Sequence, residues 1–260
     1  MTISDSNSAK ILKNFGSKLA VGRMAYEAGY FSQALRHFSS ALQLANDKAL
    51  DDDLKGCALL GAAKSTAALG NFEQAKQFLN QALIIHESDE GSLVEEAEDY
   101  HQLSLIYWRS GNTQMARQIA DKSWELACND PKTPDELKAK LLKHFAILAE
   151  QEGLADECER YLDKAMEFIE SSHQLGKQSS IYGDVLLVKV LLLVEQNRFE
   201  EAEELYPQAL QIVETNRGIA HPRVKEVIDI FSEIHKEVRS GTSAQFALNG
   251  VQRKNKHGIV

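Results

Sequence analysis

The 260 residues are 43% hydrophobic and 26% charged, a balance that builds a core and excludes wholesale disorder. Only four prolines occur, which suits long helices and speaks against a turn-dense β protein. A formal net charge of −9 speaks against generic nucleic-acid binding, because phosphate attraction needs clustered Lys and Arg.

Residues 1–8 read as a flexible N-terminus, with no basic flank leading into an apolar run, so no secretory signal is expected. Residues 9–239 read as one domain built on a recurring phrase. "GYFSQALRHFSSAL" starts at Gly29 and returns as "GNFEQAKQFLNQAL" at Gly70 and "GNTQMARQIADKSW" at Gly111. It comes again as "GLADECERYLDKAM" at Gly153 and "NRFEEAEELYPQAL" at Asn197, so the starts lie 41, 41, 42 and 44 residues apart. Each start is a predicted turn, since Gly or Asn takes the left-handed conformation that closes one helix before the next.

Five residues into each phrase stands a small residue: Ala34, Ala75, Ala116, Cys158 and Ala202. Seven further on stands another: Ala41, Ala82, Ser123, Ala165 and Ala209. Small residues seven apart share one helical face, where a second helix can approach closely. A further amphipathic helix precedes each turn. Tyr100, Leu103, Ser104 and Tyr107 form its stripe before Gly111, and Leu142, Phe145, Ala146 and Ala149 form it before Gly153. The unit is a helix hairpin repeated five times, and its neighbours must stack to bury a common core.

"TPDE" at Thr133–Glu136 predicts a capping box with Pro at the first helical position, and "SLVE" at Ser92–Glu95 offers the same spacing. The most apolar stretch, "DVLLVKVLLLVE", contains Lys189 and is too short to span a bilayer. Pro207 falls inside a predicted helix, where a kink is expected. "HPRVKEVIDIFSEIHKEV" predicts one more amphipathic helix, capping the stack. Residues 240–260 lack periodicity and read as a disordered basic tail with Arg253, Lys254 and Lys256.

These motifs resemble the tetratricopeptide repeat family. Phe31, Ala34, Phe38, Ala41 and Leu42 match its second-helix pattern, and Phe199, Ala202, Tyr206, Ala209 and Leu210 match it again. The long unit and the "G-x-x-HP-x-V" joint at Gly218, His221, Pro222 and Val224 are similar to the kinesin-light-chain-like subclass. The third repeat departs most, with Thr113, Ala120 and Ser123 at positions where the family carries aromatic residues or Ala. The resemblance implies an all-α, right-handed α-solenoid of five hairpins plus a capping helix. It also implies a concave groove lined by the first helix of each hairpin.

No HExxH, CxxC, GxSxG, phosphate loop or dinucleotide turn occurs, so no enzyme, metal site or cofactor is expected. Acidic pairs such as Glu95–Glu96 and Glu203–Glu204 are adjacent in sequence and point to different helix sides, as on a solvated face. Three widely spaced cysteines, Cys57, Cys128 and Cys158, read as reduced residues of a cytoplasmic protein.

By register, the resemblance implies that the groove centre presents His101, Gln102, Leu105, Trp108, Arg109, Lys140, Lys143 and His144, extended by Lys64 and Arg23. Trp108, Lys140 and Lys143 are expected outside the core, and Asp184 and Glu195 are expected to make one end of the groove acidic. The Lys/Asn clamp with which some family members grip chaperone termini is absent, since Leu19, Arg23 and Gly61 begin the corresponding positions.

The expected function is a non-catalytic protein-interaction scaffold. Its partner would be a protein or peptide with acidic or carboxylate groups, because Arg, Lys and an aromatic ring suit such a ligand. The alternative is a peptide-sensing regulatory receptor that changes shape on binding, its effector being a separate chain.

Overall fold

The computed structural model describes residues 3–87 and 93–218, with positions 220, 221, 224, 225, 228, 229, 231, 232 and 235 beyond them. Ten α-helices run through these residues, and no strand occurs among them. They are α1 (Ile3–Glu27), α2 (Phe31–Asp47), α3 (Asp52–Ala68), α4 (Phe72–Glu87) and α5 (Leu93–Arg109). Then follow α6 (Thr113–Asn129), α7 (Asp135–Gln151), α8 (Ala155–Ser171), α9 (Ser180–Glu195) and α10 (Phe199–Arg217). Helix α1 begins at Ile3, within the segment read as a flexible N-terminus.

The turn within each hairpin is the same object five times. Gly29, Gly70, Gly111 and Gly153 have φ of 78°, 83°, 86° and 75°, and Asn197 has φ of 61°. Around Gly29, its own N–H donates to the Tyr26 carbonyl at 2.9 Å while the Tyr30 N–H donates to Ala25 at 2.8 Å. The same pair of bonds recurs at Gly70, Gly111, Gly153 and Asn197. This is the Schellman arrangement, which satisfies the last carbonyls of one helix and needs a left-handed residue to do so. Ala49 adopts φ of 48° in a like turn after α2, where the sequence carries no Gly signal.

All ten small-residue positions are at most 1% exposed, including Ser123 and Cys158. Burial pushes the Cys158 thiol up to about 12, helped by Glu150 and Glu195, so the sulfur serves as packing.

Helix starts depart from the expected capping box. Pro134 is the N-cap of α7, and the Thr133 hydroxyl is buried without a hydrogen-bond partner among the described residues. The helix starts one residue late for the box because the 130–133 turn, closed by Thr133 N–H to the Asp130 carbonyl, draws the threonine inward. Caps form elsewhere instead: Asn71 accepts from Gln74 N–H, Asn112 from Met115 N–H and Ser179 from Tyr182 N–H. Ser92 of the second predicted box lies outside the described residues. α10 runs unbroken through Pro207, which is exposed in its interior.

The chain forms two compact units, residues 1–106 and 107–260, with the division inside α5. In the first, α2 packs on α1 and α3, and α3 on α4. Phe38 is its central ring, 3% exposed. A Cβ built on Gly61 would stand 2.4 Å from that ring, so only glycine admits it there. In the second unit α7 packs on α6, α8 and α9, and α9 on α8 and α10. Leu148, Leu162, Ile169 and Val185 are fully enclosed in its core. Helix α9 is buried nearly all round, as expected of a helix apolar on every side.

Of the expected capping helix, Val224, Lys225, Ile228, Asp229, Phe231, Ser232 and His235 are helical. Val224 is fully buried, and the Phe231 ring stacks on Tyr206. The tail residues Arg253, Lys254 and Lys256 lie outside the described residues. Among those described, no helix is long and apolar enough to cross a membrane.

Candidate binding surface

The first helices α1, α3, α5, α7 and α9 carry the residues singled out by register, and the structure sorts them by accessibility. In the first unit Arg23 is exposed on α1, and Gln102 and Leu105 are half-buried on α5. Lys64 on α3 is paired with Glu98 on α5. Burial pulls the Lys64 ammonium down, but the Glu98 carboxylate outweighs it and holds the group above its usual value. His101 is 3% exposed and belongs to the interior.

In the second unit Arg109 and Lys140 are half-buried, and Lys140 is ion-paired with Glu136 one turn earlier at 2.6 Å. Lys143 and Trp108 do not stand outside the core. Lys143 is 6% exposed with its ammonium 3.7 Å from Asp184, and Trp108 belongs to the main apolar cluster. The cause lies on other helices. Asp184 of α9 takes both guanidinium nitrogens of Arg217, at 2.8 and 3.0 Å, and Lys143 completes that buried group. Asp184 therefore gives no acidic end to a groove, since two cations neutralise it.

His144 is fully buried and its imidazole meets the Trp108 ring edge-on, centroids 6.4 Å apart. Burial, with Lys143 and Arg117 nearby, pushes it down to about 3, so it is neutral at neutral pH. It adds no positive charge for a ligand to read.

Arg117 of α6 was not singled out by sequence. Its guanidinium lies over the rings of Phe145 and Tyr161, at 5.4 and 5.7 Å, and reaches Glu157 at 3.4 Å. Phe145 in turn stacks on Tyr161, and Trp124 meets it edge-on. In the divergent third repeat Ala120 and Ser123 are fully buried, and Arg117 of the same helix is held by aromatic faces of the next hairpin. A single Arg one position after Ala116 carries no periodic signal, so only the facing helices reveal it. Among the described residues no cluster of three or more His, Cys, Asp or Glu could hold a metal ion.

A family model, the tetratricopeptide repeat, matches residues 189–223. No curated protein matches the chain. Among solved structures it is similar to the Rap conjugation gene regulator of the plasmid pLS20 in complex with a peptide, with a TM-score of 0.73 at 14% identity. That likeness covers 97% of this chain and 66% of the regulator. NprR in complex with its cognate peptide NprX gives a TM-score of 0.72 at 13% identity, covering 92% of this chain and 66% of NprR. Aspartyl phosphate phosphatase F from Bacillus subtilis gives 0.65 at 12% identity, covering 96% and 63%. This chain thus spans slightly less than two thirds of the length of those relatives, and the likeness is one of fold. Together with the five matching turns and ten buried small positions, it makes the protein an all-α solenoid of the tetratricopeptide repeat type.

Proposed function

We propose that the protein is a non-catalytic scaffold that binds a partner peptide or protein segment carrying acidic or carboxylate groups. The observation that carries this reading is the fold shared with two proteins solved with peptides bound. The contacts fall to the accessible members of the set. These are Arg23, Lys64, Gln102 and Leu105 in the first unit, and Arg109 and Lys140 in the second. Trp108, Lys143, His101 and His144 support them from within.

The test is binding of a labelled acidic peptide library by the full chain, read by fluorescence anisotropy. Arg109→Glu with Lys140→Glu should weaken capture about tenfold or more, as lost charge-assisted contacts do. A folded variant that binds as well as wild type, or a library with no binder, would sink the proposal.

A second reading is a peptide-sensing receptor, favoured because both peptide-bound relatives are solved in complex and one is a gene regulator. It requires compaction on binding, measured by small-angle scattering with the captured peptide. An unchanged radius of gyration at saturating peptide leaves the scaffold alone.

A further inference from the structure

His86 on α4 is 2% exposed, and its Nδ1 lies 2.7 Å from Oδ2 of Asp99 on α5, a carboxylate with no exposed surface. The other side of the imidazole meets α3. A Cβ built on Gly56 would stand 2.2 Å from Nε2, so the ring occupies the space that any side chain at 56 would take. Three helices of the first unit thus meet at one enclosed imidazole. Oδ1 of Asp99 has no hydrogen-bond partner among the described residues, which leaves the carboxylate dependent on His86. Neutral, the imidazole can still donate its Nδ1–H to that carboxylate, but only the charged imidazolium offsets the buried negative charge.

We propose that Gly56, His86 and Asp99 form a proton-held clasp that fixes α5 against the α3–α4 hairpin and loosens as the proton leaves. The clasp stands independently of the proposed function. The groups around it are Asp53 and Lys64 on α3 and Glu95 and Glu98 on α5; on α4, Glu87 accepts a separate hydrogen bond from Tyr100. Most of these are acidic and favour the charged imidazolium.

Burial pulls His86 down, but the hydrogen bond and charge of Asp99 outweigh it, and the ring ends above its usual value. Burial pushes Asp99 up to about 6 from its ordinary 3.8, against the pull of His86. Both shifts have one sign: the folded chain keeps protons that the unfolded chain has released. The stabilisation from Asp99 is complete below its ordinary value and fades as pH rises to about 6. That from His86 is complete below about 6.5 and is lost as pH rises through its higher folded value.

The experiment is urea unfolding of the full chain between pH 5 and 8.5, with titration of the His86 ring by NMR. Wild type should lose stability as pH rises, the folded-to-unfolded ratio falling by up to about tenfold per proton per pH unit. His86→Gln and Asp99→Asn should flatten that slope, and Gly56→Ala should do the same by displacing the ring. The His86 ring in wild type should titrate above about 6.5. A ring that titrates at or below that value, or a slope that persists in folded variants, would overturn the clasp. If the variants fail to fold, the wild-type ring titration decides alone.

Discussion

Helices α3 and α9 are both first helices of a hairpin, and both are buried on more than one side, yet by opposite means. In α3 the enclosed residues are small except for Leu59: Gly56, Ala58, Gly61, Ala62, Ala63, Ser65, Thr66 and Ala67. Neighbours therefore reach in to its backbone, Phe38 over Gly61 and His86 over Gly56. In α9 the enclosed residues are mostly large, including Val185, Leu186, Leu187, Leu192, Leu193 and Val194, with Gly183, where Ile212 and Val213 close on the backbone, the exception. That helix projects into its neighbours and fills the space itself. One repeat pattern thus tolerates either partner supplying the volume, provided the sum is kept.

The comparison can be broken from either side. The largest effect is expected at Leu193, 1% exposed, where Leu193→Ala removes volume that no facing residue replaces. It should cost about 2–5 kcal/mol in urea unfolding, and a negligible loss would mean that α9 does not carry its own packing. A middling effect is expected at Gly61, where Gly61→Ala forces the Phe38 ring aside. Overpacking there should cost about 1–3 kcal/mol; a neutral or stabilised variant would show that the ring has room to yield. The smallest effect has the opposite sign. Ala49→Gly relieves a left-handed alanine and should gain up to about 1 kcal/mol, part of the relief being offset by a more flexible unfolded chain. A lower melting temperature for this variant would contradict the left-handed turn.

Much of the fold was legible because its needs are local. A left-handed turn residue and two small residues seven apart can be read within one phrase, and all five turns and all ten small positions are as expected. Even the departures of the third repeat were visible, although the seating of Arg117 on Phe145 and Tyr161 was not. The candidate site was less legible. Register placed Lys143 and Trp108 on an accessible face, but the fate of a side chain depends on what another helix sets opposite it. Arg109 and Lys140 kept partial access, whereas Lys143 met Asp184 and His144 met Trp108.

By itself, then, the sequence determined hairpin number, turn chemistry and the small-residue seams, because each rests on backbone conformation and on spacing along one helix. Tertiary structure decided which charges are paired across helices. The Arg217–Asp184 pair joins residues 33 apart and Lys64–Glu98 joins residues 34 apart. No pattern within one helix encodes such a pairing. It exists only once packing brings two helices together and takes part of the water from both partners.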